Sequence, residues 1–441
     1  MALDKDIGDV SDFLQTLSLE GLKSHVKPEW IEEALTWAGT TSIRKRRLPA
    51  DQVVWLVISM ALFRGHSIER IVDELDLALP DSKDTLVAKS AIAQARQRLS
   101  HQPLGWLFET TAAEWSARSA NAHRWRGLRL YGLDGTTLRV PDSKENREEF
   151  GGQHAGGERG ESGYPLVRVV AMMAVRSHVL SHFRFGAYAI GETTLARELW
   201  DDVPEDSLVL VDRGFLVKKD LYNLERSRNR HWLTRTKVNT RWSIIEKLGK
   251  DDYLAELELH DRGLPPTLPI RVIHYKWRGH GRQTLLTSLT DAEKYPAKEL
   301  IELYHERWET ELAYDEVKTH LLERQESIRS KTPDGVRQEL WGIALAYNLV
   351  RLEMERLAAA INVEPTRISF VGALALVRHT MAFLGDRRLD PGAIPFHLNR
   401  VRTGTKRLLL PERRRGRSYP RAVKVKMSNY PRKRPSARTA K

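Results

Sequence analysis

Apolar positions recur at the helical spacing of three to four residues through residues 1–125. Pro49 opens a predicted helix that Gly65 ends, and Ser67 caps a second helix. A third helix begins near Asp84, and its polar sides carry glutamine and arginine. Two helices around a glycine turn, followed by a basic third helix, are typical of a helical DNA-binding domain, although many helical bundles share this order.

The pattern changes to short apolar runs near residue 126, which predicts strands. The predicted strands cover 128–133, 138–140, 167–175, 178–188, 208–211 and 231–236, and the predicted helices between them cover 193–200 and 217–227. Residues 141–165 are rich in glycine and charge and are predicted to form a loop. Three strands, a helix, a strand, a helix and a strand form the order of an α/β mixed sheet with helices on its faces.

Residues 238–290 interrupt this alternation with further β-like sequence, including a predicted hairpin over 270–289. The chain becomes helical again near Pro296, so the β-like block is predicted to be an insertion between the sheet and its closing helices. The predicted division is a helical N-terminal domain (1–125), the first part of the core (126–237), a β-rich insertion (238–290), the closing part of the core (291–330), a C-terminal helical region (331–400) and a basic tail (401–441).

The composition excludes several classes of protein. The 441 residues include no cysteine, which rules out disulfides, thiol chemistry and thiolate zinc sites. The sequence has neither a signal-peptide pattern at its start nor a run of eighteen apolar residues, so we expect a cytoplasmic protein with no membrane partner. It also lacks a Gly-x4-Gly-Lys-Ser/Thr loop, so we expect no nucleotide cofactor.

The net charge of +13 is concentrated at the C-terminus. Residues 401–441 hold 15 of the 71 Lys and Arg residues and one of the 58 acids, which leaves 56 cations against 57 acids for residues 1–400. A dense basic tail indicates an arm for a polyanion, usually nucleic acid, and a disordered solubilising terminus is the alternative. A basic run before the first long helix is a second candidate DNA contact, with a solvated basic loop as its alternative: Arg44, Lys45, Arg46 and Arg47.

Two aspartates follow predicted apolar strands, Asp134 and Asp212. If those strands are neighbours in one sheet, both carboxylates lie at the edge where ligand sites of open α/β sheets form. Two carboxylates close together repel each other unless a divalent cation lies between them, and Mg²⁺ accepts one or two carboxylates together with phosphate oxygens. The alternatives are a turn at Asp134-Gly and a helix-capping turn at Asp212-Arg-Gly.

A third carboxylate belongs to a pattern of Tyr304, Arg307, Glu311 and Lys318. At about 3.6 residues per turn these side chains form one stripe of a helix. Such a stripe suits a metal-bridged phosphate, with Glu311 on the metal and the cations on phosphate oxygens, and a two-metal site becomes complete when Glu311 joins the two aspartates. A solvated helix with (i, i+4) charge pairs is the alternative.

These motifs together resemble bacterial DDE transposases of the insertion-sequence-four family, whose hallmark is this Tyr-Arg-Glu-Lys signature. Leu-Asp134-Gly-Thr-Thr is similar to the first acidic block of that family, and Val-Asp212-Arg-Gly-Phe is similar to the second. The resemblance covers most of the chain and implies a ribonuclease-H-like core with a β-rich insertion. It also implies cut-and-paste transposition that depends on Mg²⁺, with Mn²⁺ as a substitute and two ions in each active site.

The resemblance also implies roles for individual residues. Asp134, Asp212 and Glu311 hold the metal ions, the signature cations and Tyr304 grip the phosphate beside the cut, and Arg235 assists from the last core strand. The family members that form a DNA hairpin use a tryptophan in the insertion to stack with a flipped base. Here Gln283 and Thr284 occupy that region, so the candidates for base flipping are Trp277 and Trp242, with core packing as the alternative.

The expected partners are the double-stranded inverted repeats at the ends of the element and the target DNA, bound by a homodimer in the nucleoid. Two other functions agree with parts of the sequence. One is a catalytically silent DNA-binding protein derived from a transposase, against which the presence of all three acidic residues argues. The other is a ribonuclease-H-like nuclease that cuts DNA without strand transfer.

Overall fold

The computed structural model describes residues 25–41, 47–78, 86–153, 163–226, 229–276, 281–324, 327–384 and 406–411. Five described helices precede the sheet: α1 (Pro28–Trp37), α2 (Ala50–Leu62), α3 (Ile68–Glu74), α4 (Lys89–Leu99) and α5 (Gln102–Ala122). Ser67 caps α3 by accepting a 3.3 Å hydrogen bond from the Arg70 amide, as predicted. The long helix α5 was not predicted as a separate element.

A nine-stranded sheet forms the centre of the molecule, in the order β3-β2-β1-β4-β5-β9-β8-β7-β6. The strands are β1 (Arg129–Arg139), β2 (Leu166–Ala174), β3 (Leu180–Ala187), β4 (Ser207–Val211), β5 (Arg230–Arg235), β6 (Trp242–Gly249), β7 (Asp252–Glu258), β8 (Thr267–Lys276) and β9 (Arg282–Thr287). The first three strands are antiparallel, whereas β1, β4 and β5 run parallel. This arrangement confirms the mixed-sheet, ribonuclease-H-like core.

The predicted turn at residues 134–137 is wrong, because β1 continues without interruption from Arg129 to Arg139. The antiparallel partner β2 pairs with β1 through this segment, from Tyr131 opposite Ala174 to Arg139 opposite Leu166. The Asp-Gly-Thr-Thr sequence is a common turn sequence, but the ladder to β2 overrides that local preference.

The predicted loop over 141–165 also contains regular structure. Helix α6 (Lys144–Phe150) begins after Ser143, whose hydroxyl accepts a hydrogen bond from the Asn146 amide at 3.2 Å. The helix is mostly charged, so its sequence lacks an apolar period, but Phe150 is buried and anchors it. Residues 154–162 lie outside the described part of the chain.

The predicted insertion continues the core sheet. Its strands β6 to β9 are antiparallel to one another, and β9 joins them to the core by pairing antiparallel with β5. The strands of the predicted hairpin are β8 and β9, and its turn at 277–280 is outside the described residues.

Helices on both faces bury the sheet. The helix α7 (Glu192–Trp200) and the helix α8 (Lys218–Glu225) share a hydrophobic cluster with one face of β2. The opposite face of β2 packs in a second cluster with the N-terminal helices and with α11 (Pro333–Ala360). The N-terminal and C-terminal helices therefore share one core, and the division into domains stays a prediction. Within the described residues, no helix is sufficiently long and apolar to cross a lipid bilayer.

The remaining helices close the core. Helix α9 (Ala297–Glu306) and helix α10 (Trp308–Asp315) are followed by a π-helical turn (Glu316–Leu321). Helix α12 (Phe370–Leu384) comes after α11 and packs on it. Residues 406–411 dock at the start of α12, where Leu409 forms a β-bridge with Ile368.

Candidate active site

Asp134 and Asp212 occupy adjacent positions on neighbouring strands. The parallel ladder between β1 and β4 ends with Leu133 opposite Val211, and each aspartate is the next residue in the chain, Asp134 within β1 and Asp212 directly after β4. The carboxyl end of β4 therefore places Asp212 beside Asp134, as the sequence predicted. Asp134 lies within β1 rather than at its end, but its parallel neighbour stops there.

The Asp134 carboxylate is largely enclosed. The Gly135 amide donates a 2.8 Å hydrogen bond to Oδ1, and the Thr310 hydroxyl and Arg307 Nη1 lie 3.4 and 4.0 Å from Oδ2. The pKa of Asp134 is raised to about 6, mainly by burial, while the charges of Glu311 and Asp212 add to the shift. The Gly135 amide and Arg307 act against it. The three carboxylates are thus close enough to affect one another's charge.

The signature segment is not one regular helix, which corrects the prediction of a continuous stripe. Helix α9 ends at Glu306, helix α10 begins at Trp308, and a π-helical turn starts at Glu316. Arg307 lies at the junction, and the Thr310 hydroxyl donates a 2.8 Å hydrogen bond to its carbonyl. Lys318 lies within the π turn, whose wider winding moves it off the line through Arg307 and Glu311.

Arg307 links two of the carboxylates. Its Nη2 donates a 2.9 Å hydrogen bond to Glu311 Oε1, and its Nη1 approaches Asp134. The (i, i+4) pair of the solvated-helix alternative is therefore present. The Arg307 side chain is 6% exposed, whereas that of Glu311 is 39% exposed, so the alternative is wrong only in that Arg307 is buried. Although burial opposes its charge, Tyr304, Glu311 and Asp212 raise the pKa of Arg307.

A second arginine lies beside Asp212. Arg235 Nη2 is 3.6 Å from Asp212 Oδ1, and its Nη1 donates a 2.9 Å hydrogen bond to Gln283 on β9. The buried Tyr304 hydroxyl is 3.5 Å from the Val211 carbonyl oxygen, and burial raises the Tyr304 pKa. Each aspartate therefore has one arginine close to it.

The structure places the other candidate residues elsewhere. Lys318 lies against the second half of β1, where burial lowers its pKa, and none of the described carboxylates forms an ion pair with it. Trp242 is half-buried and packs against the hydrophobic cluster that contains α7 and α8. Arg47 Nη1 is 3.4 Å from the Leu86 carbonyl, close to the start of α4. Arg44, Lys45, Arg46, Trp277 and most of the basic tail lie outside the described residues.

One arginine of the predicted DNA-binding helix α4 has an internal role. Arg96 donates hydrogen bonds to Gln338 at 2.8 Å and to Ser330 at 3.1 Å, and it lies 3.8 Å from Glu339. Arg96 therefore fastens α4 to α11. The exposed residues of α4 include Gln94, which leaves a polar outer face on this helix.

Sequence reasoning missed three residues that position the site. A Cβ atom on Gly132 would lie 2.4 Å from Thr310 Cγ2, so α10 approaches β1 at a point where a side chain has no room. The Tyr314 hydroxyl donates a 2.6 Å hydrogen bond to the Asp134 carbonyl and accepts one from the Ala171 amide at 3.1 Å. Thr310 and Tyr314 flank Glu311 in sequence, but their contacts depend on the tertiary fold.

A buried charged network supports α10 from the side of the core. His178 Nε2 is 2.9 Å from Glu309 Oε2, and Arg351 Nη2 is 2.7 Å from Glu316 Oε2. The Tyr347 hydroxyl donates a 2.7 Å hydrogen bond to the same Glu316 oxygen. Burial raises the pKa of Glu316 to about 8 and lowers that of Arg351 to about 9. Glu309 and Glu316 stand at the two ends of the segment that carries Glu311.

The three carboxylates have the donor atoms that Mg²⁺ prefers. Burial raises the pKa of Asp134, and the charges of Glu311 and Asp212 add to the shift, so a cation bound there would favour the ionised carboxylate. As the side chains stand, no group of three or more Asp, Glu or His among the described residues is arranged to hold a metal ion. Glu311 is paired with Arg307 instead.

Comparison with known proteins defines the class. Residues 125–349 match the family described as Transposase DDE domain, and residues 16–109 match Insertion element 4 transposase N-terminal. The protein is therefore a DDE transposase, an enzyme that cleaves DNA, and such enzymes generally depend on a divalent metal ion. The chain belongs to the insertion element 4 (IS4) family, which confirms the resemblance seen in the sequence.

Individual relatives agree with this assignment. The chain is 36% identical over 423 residues to the transposase InsG for insertion sequence element IS4 of Escherichia coli K12, covering 94% of this chain and 93% of InsG. It is 32% identical over 280 residues to the putative transposase InsZ of the same strain, covering 63% of this chain and 88% of InsZ. A piggyBac transposase synaptic complex with hairpin DNA aligns with a TM-score of 0.43 and 12% identity over 90% of this chain and 86% of that chain, a similarity too low to support an inference.

Proposed function

We propose that Asp134, Asp212 and Glu311 are the catalytic carboxylates of this transposase. The observation that carries the proposal is the juxtaposition of Asp134 with Asp212 at the end of β4, with Arg307 reaching from Asp134 to Glu311. The phosphate to be cut lies over these carboxylates in the proposed complex.

Two divalent ions are proposed to bind these three residues, Mg²⁺ with Mn²⁺ as a substitute. Bound there, they would activate the attacking oxygen and stabilise the leaving oxygen of the phosphate. Whether Glu311 can bind a metal ion depends on its ion pair with Arg307. In the absence of DNA, Glu311 pairs with Arg307 Nη2, and a phosphate is a competing ligand for the arginine.

Arg307 and Arg235 orient the phosphate in this proposal. Each arginine lies within 4.0 Å of an aspartate, so a phosphate that contacts both guanidinium groups is held directly over the carboxylates. Tyr304 is buried between them and fixes Arg307 by packing under it, with the guanidinium carbon 6.0 Å from its ring centroid. Lys318 is proposed to contact the same DNA strand farther along β1.

The proposed reaction is cut-and-paste transposition. Water nicks one strand at the end of the element, and the released 3′-hydroxyl then attacks a second phosphodiester, finally one in target DNA. The proposed partners are the terminal inverted repeats and target DNA, bound by a homodimer that brings two ends together in the bacterial cytoplasm. Trp242 is half-buried against the hydrophobic cluster of α7 and α8, so a hairpin intermediate is to be identified from the DNA products.

The test is a cleavage assay on duplexes that carry the terminal repeats flanking the reading frame, with Mg²⁺ or Mn²⁺. Glu311→Gln is expected to abolish cleavage while binding to the duplex is retained, because the substitution removes one charge and keeps the side-chain size. The matched control is Glu302→Gln, on the exposed face of the preceding helix α9. Cleavage by Glu311→Gln at the wild-type rate contradicts the assignment, and cleavage without joining in the wild-type protein indicates a nuclease.

A further inference from the structure

An open cleft of about 660 Å³ lies beyond the catalytic carboxylates along β1. The second half of β1 forms one wall, and the π turn with the residues after it forms the other. Three cations contribute to the lining, and among the described lining residues there is no carboxylate: Arg139, Lys318 and Arg324. A groove with this charge fits a chain of phosphates.

The cleft also presents an aromatic ring to solvent. Tyr164 is 51% exposed at the rim, and the Arg139 guanidinium carbon lies 5.8 Å from the ring centroid. An aromatic side chain with this exposure contributes little to the core, whereas a ring beside a cation is a surface on which a nucleic-acid base stacks. The combination of a basic groove and an exposed ring is typical of sites that bind single-stranded nucleic acid.

The distance between the cleft and the cleaved phosphate follows from the positions of the lining residues along β1. Residues on a strand advance by about 3.3 Å each, so Thr137 and Arg139 lie about 10 and 17 Å beyond Asp134 along β1. One strand of DNA advances by about 3.4 Å per nucleotide. The cleft therefore lies roughly three to five nucleotides from a phosphate held over Asp134 and Asp212.

We propose that this cleft binds an unpaired segment of a DNA strand three to five nucleotides from the cleaved phosphate, with one base stacked on Tyr164 and the phosphates on Arg139, Lys318 and Arg324. The position relative to the cut rests on the proposed function of the carboxylates. A paired base has both faces covered by its neighbours in the duplex, so stacking on Tyr164 requires local opening of the DNA. The cleft thus holds one strand open beside the reacting phosphate.

The experiment measures binding in EDTA, where cleavage does not contribute, so its outcome is separate from that of the Glu311 assay. The probe is a terminal-repeat duplex in which three adjacent nucleotides are unpaired by mismatches and one of them is 2-aminopurine. Opening nucleotides three to five is expected to strengthen binding by the full-length protein about tenfold and to quench the fluorophore. Tyr164→Phe keeps the ring and is expected to keep the stronger binding and the quenching, whereas Tyr164→Ala is expected to lose both.

The contribution of the cations that line the cleft is tested by the salt dependence of binding to the same probe. Arg324→Gln is expected to reduce the slope of log K against log salt by about 1, whereas Arg262→Gln, an exposed arginine away from the cleft, leaves the slope unchanged. Equal gains from DNA opening for Tyr164→Ala and the wild-type protein overturn the proposal. Quenching that is strongest outside nucleotides three to five overturns the position of the cleft relative to the cut, even where the Glu311 assay succeeds.

Discussion

Gly132 on β1 and Thr310 on α10 meet so closely that a Cβ atom on the glycine would lie 2.4 Å from the threonine methyl. This contact sets the distance between the strand that carries Asp134 and the helix that carries Glu311. The glycine is therefore part of the geometry of the proposed site, although it has no polar side chain.

Gly132→Ala is expected to push α10 away from β1. We predict destabilisation of about 1–3 kcal/mol, typical of overpacking, and a loss of DNA cleavage of at least tenfold because Glu311 moves relative to Asp134. Denaturant unfolding and the cleavage assay measure the two effects. Adding Thr310→Ser to the Gly132→Ala variant removes the clashing methyl and is expected to restore most of the stability and most of the cleavage activity. A double variant as impaired as Gly132→Ala contradicts the steric explanation.

The raised pKa of Asp134 predicts a dependence of stability on pH. The folded state binds this proton more tightly than the unfolded state, whose pKa is 3.8, so the contribution to stability is complete below pH 4 and is lost as pH rises through about 6. Asp134→Asn has no carboxyl proton to lose, so this fall in stability with rising pH is absent from the variant. In EDTA at pH 8 the variant is expected to exceed the wild-type free energy of unfolding by roughly 3 kcal/mol, and the difference disappears near pH 4. A constant difference across this range contradicts the assignment to Asp134.

The charged network beneath α10 predicts a strong coupling between Arg351 and Glu316. Because burial raises the Glu316 pKa to about 8, the measurement is made between pH 8 and 9, where the carboxyl ionises while Arg351 keeps its charge. There Arg351→Met leaves a buried carboxylate without its cation, and the expected cost is about 3–5 kcal/mol in the free energy of unfolding. Adding Glu316→Gln is expected to recover most of this loss. Arg337→Met on the same helix breaks a partly exposed pair with Glu149 and is expected to cost less than about 1 kcal/mol. Independent, additive effects of the Arg351 and Glu316 substitutions contradict the coupling.

The parts of the fold that the sequence predicted well are those with a strong local signal. Apolar runs such as 208–211 identified the strands. The candidate carboxylates were identified because Asp134 and Asp212 follow such runs and Glu311 belongs to the signature. The continuity of β1 through Asp-Gly-Thr-Thr was not predictable, because it depends on pairing with β2 across the sheet. For the same reason the roles of Gly132 and Arg96 appear only when distant elements pack together.

The position of Lys318 was not predictable from the sequence either, because it depends on the π turn at the end of the signature. A regular helix would align Lys318 with Glu311, but the turn carries it to the cleft beside Thr137. The sequence pattern places the four signature residues on one segment, whereas the π turn and the contacts with the sheet determine where each side chain lies.

The docked segment 406–411 changes how the basic tail is to be tested. Leu408 and Leu410 exchange backbone hydrogen bonds of 2.8 Å with Ser369 and Arg367, so removal of residues 401–441 also strips a contact from the start of α12. Truncation after Pro411 avoids this effect and still removes 12 of the 15 tail cations together with Glu412.

We expect this truncation to weaken DNA binding and to lower its salt dependence, because fewer phosphates are neutralised, while the midpoint of thermal unfolding is unchanged. Truncation after residue 400 is expected to lower that midpoint as well. A salt slope equal to that of the full-length chain assigns residues 412–441 to solubility and leaves the cleft beside β1 as the main basic surface for DNA.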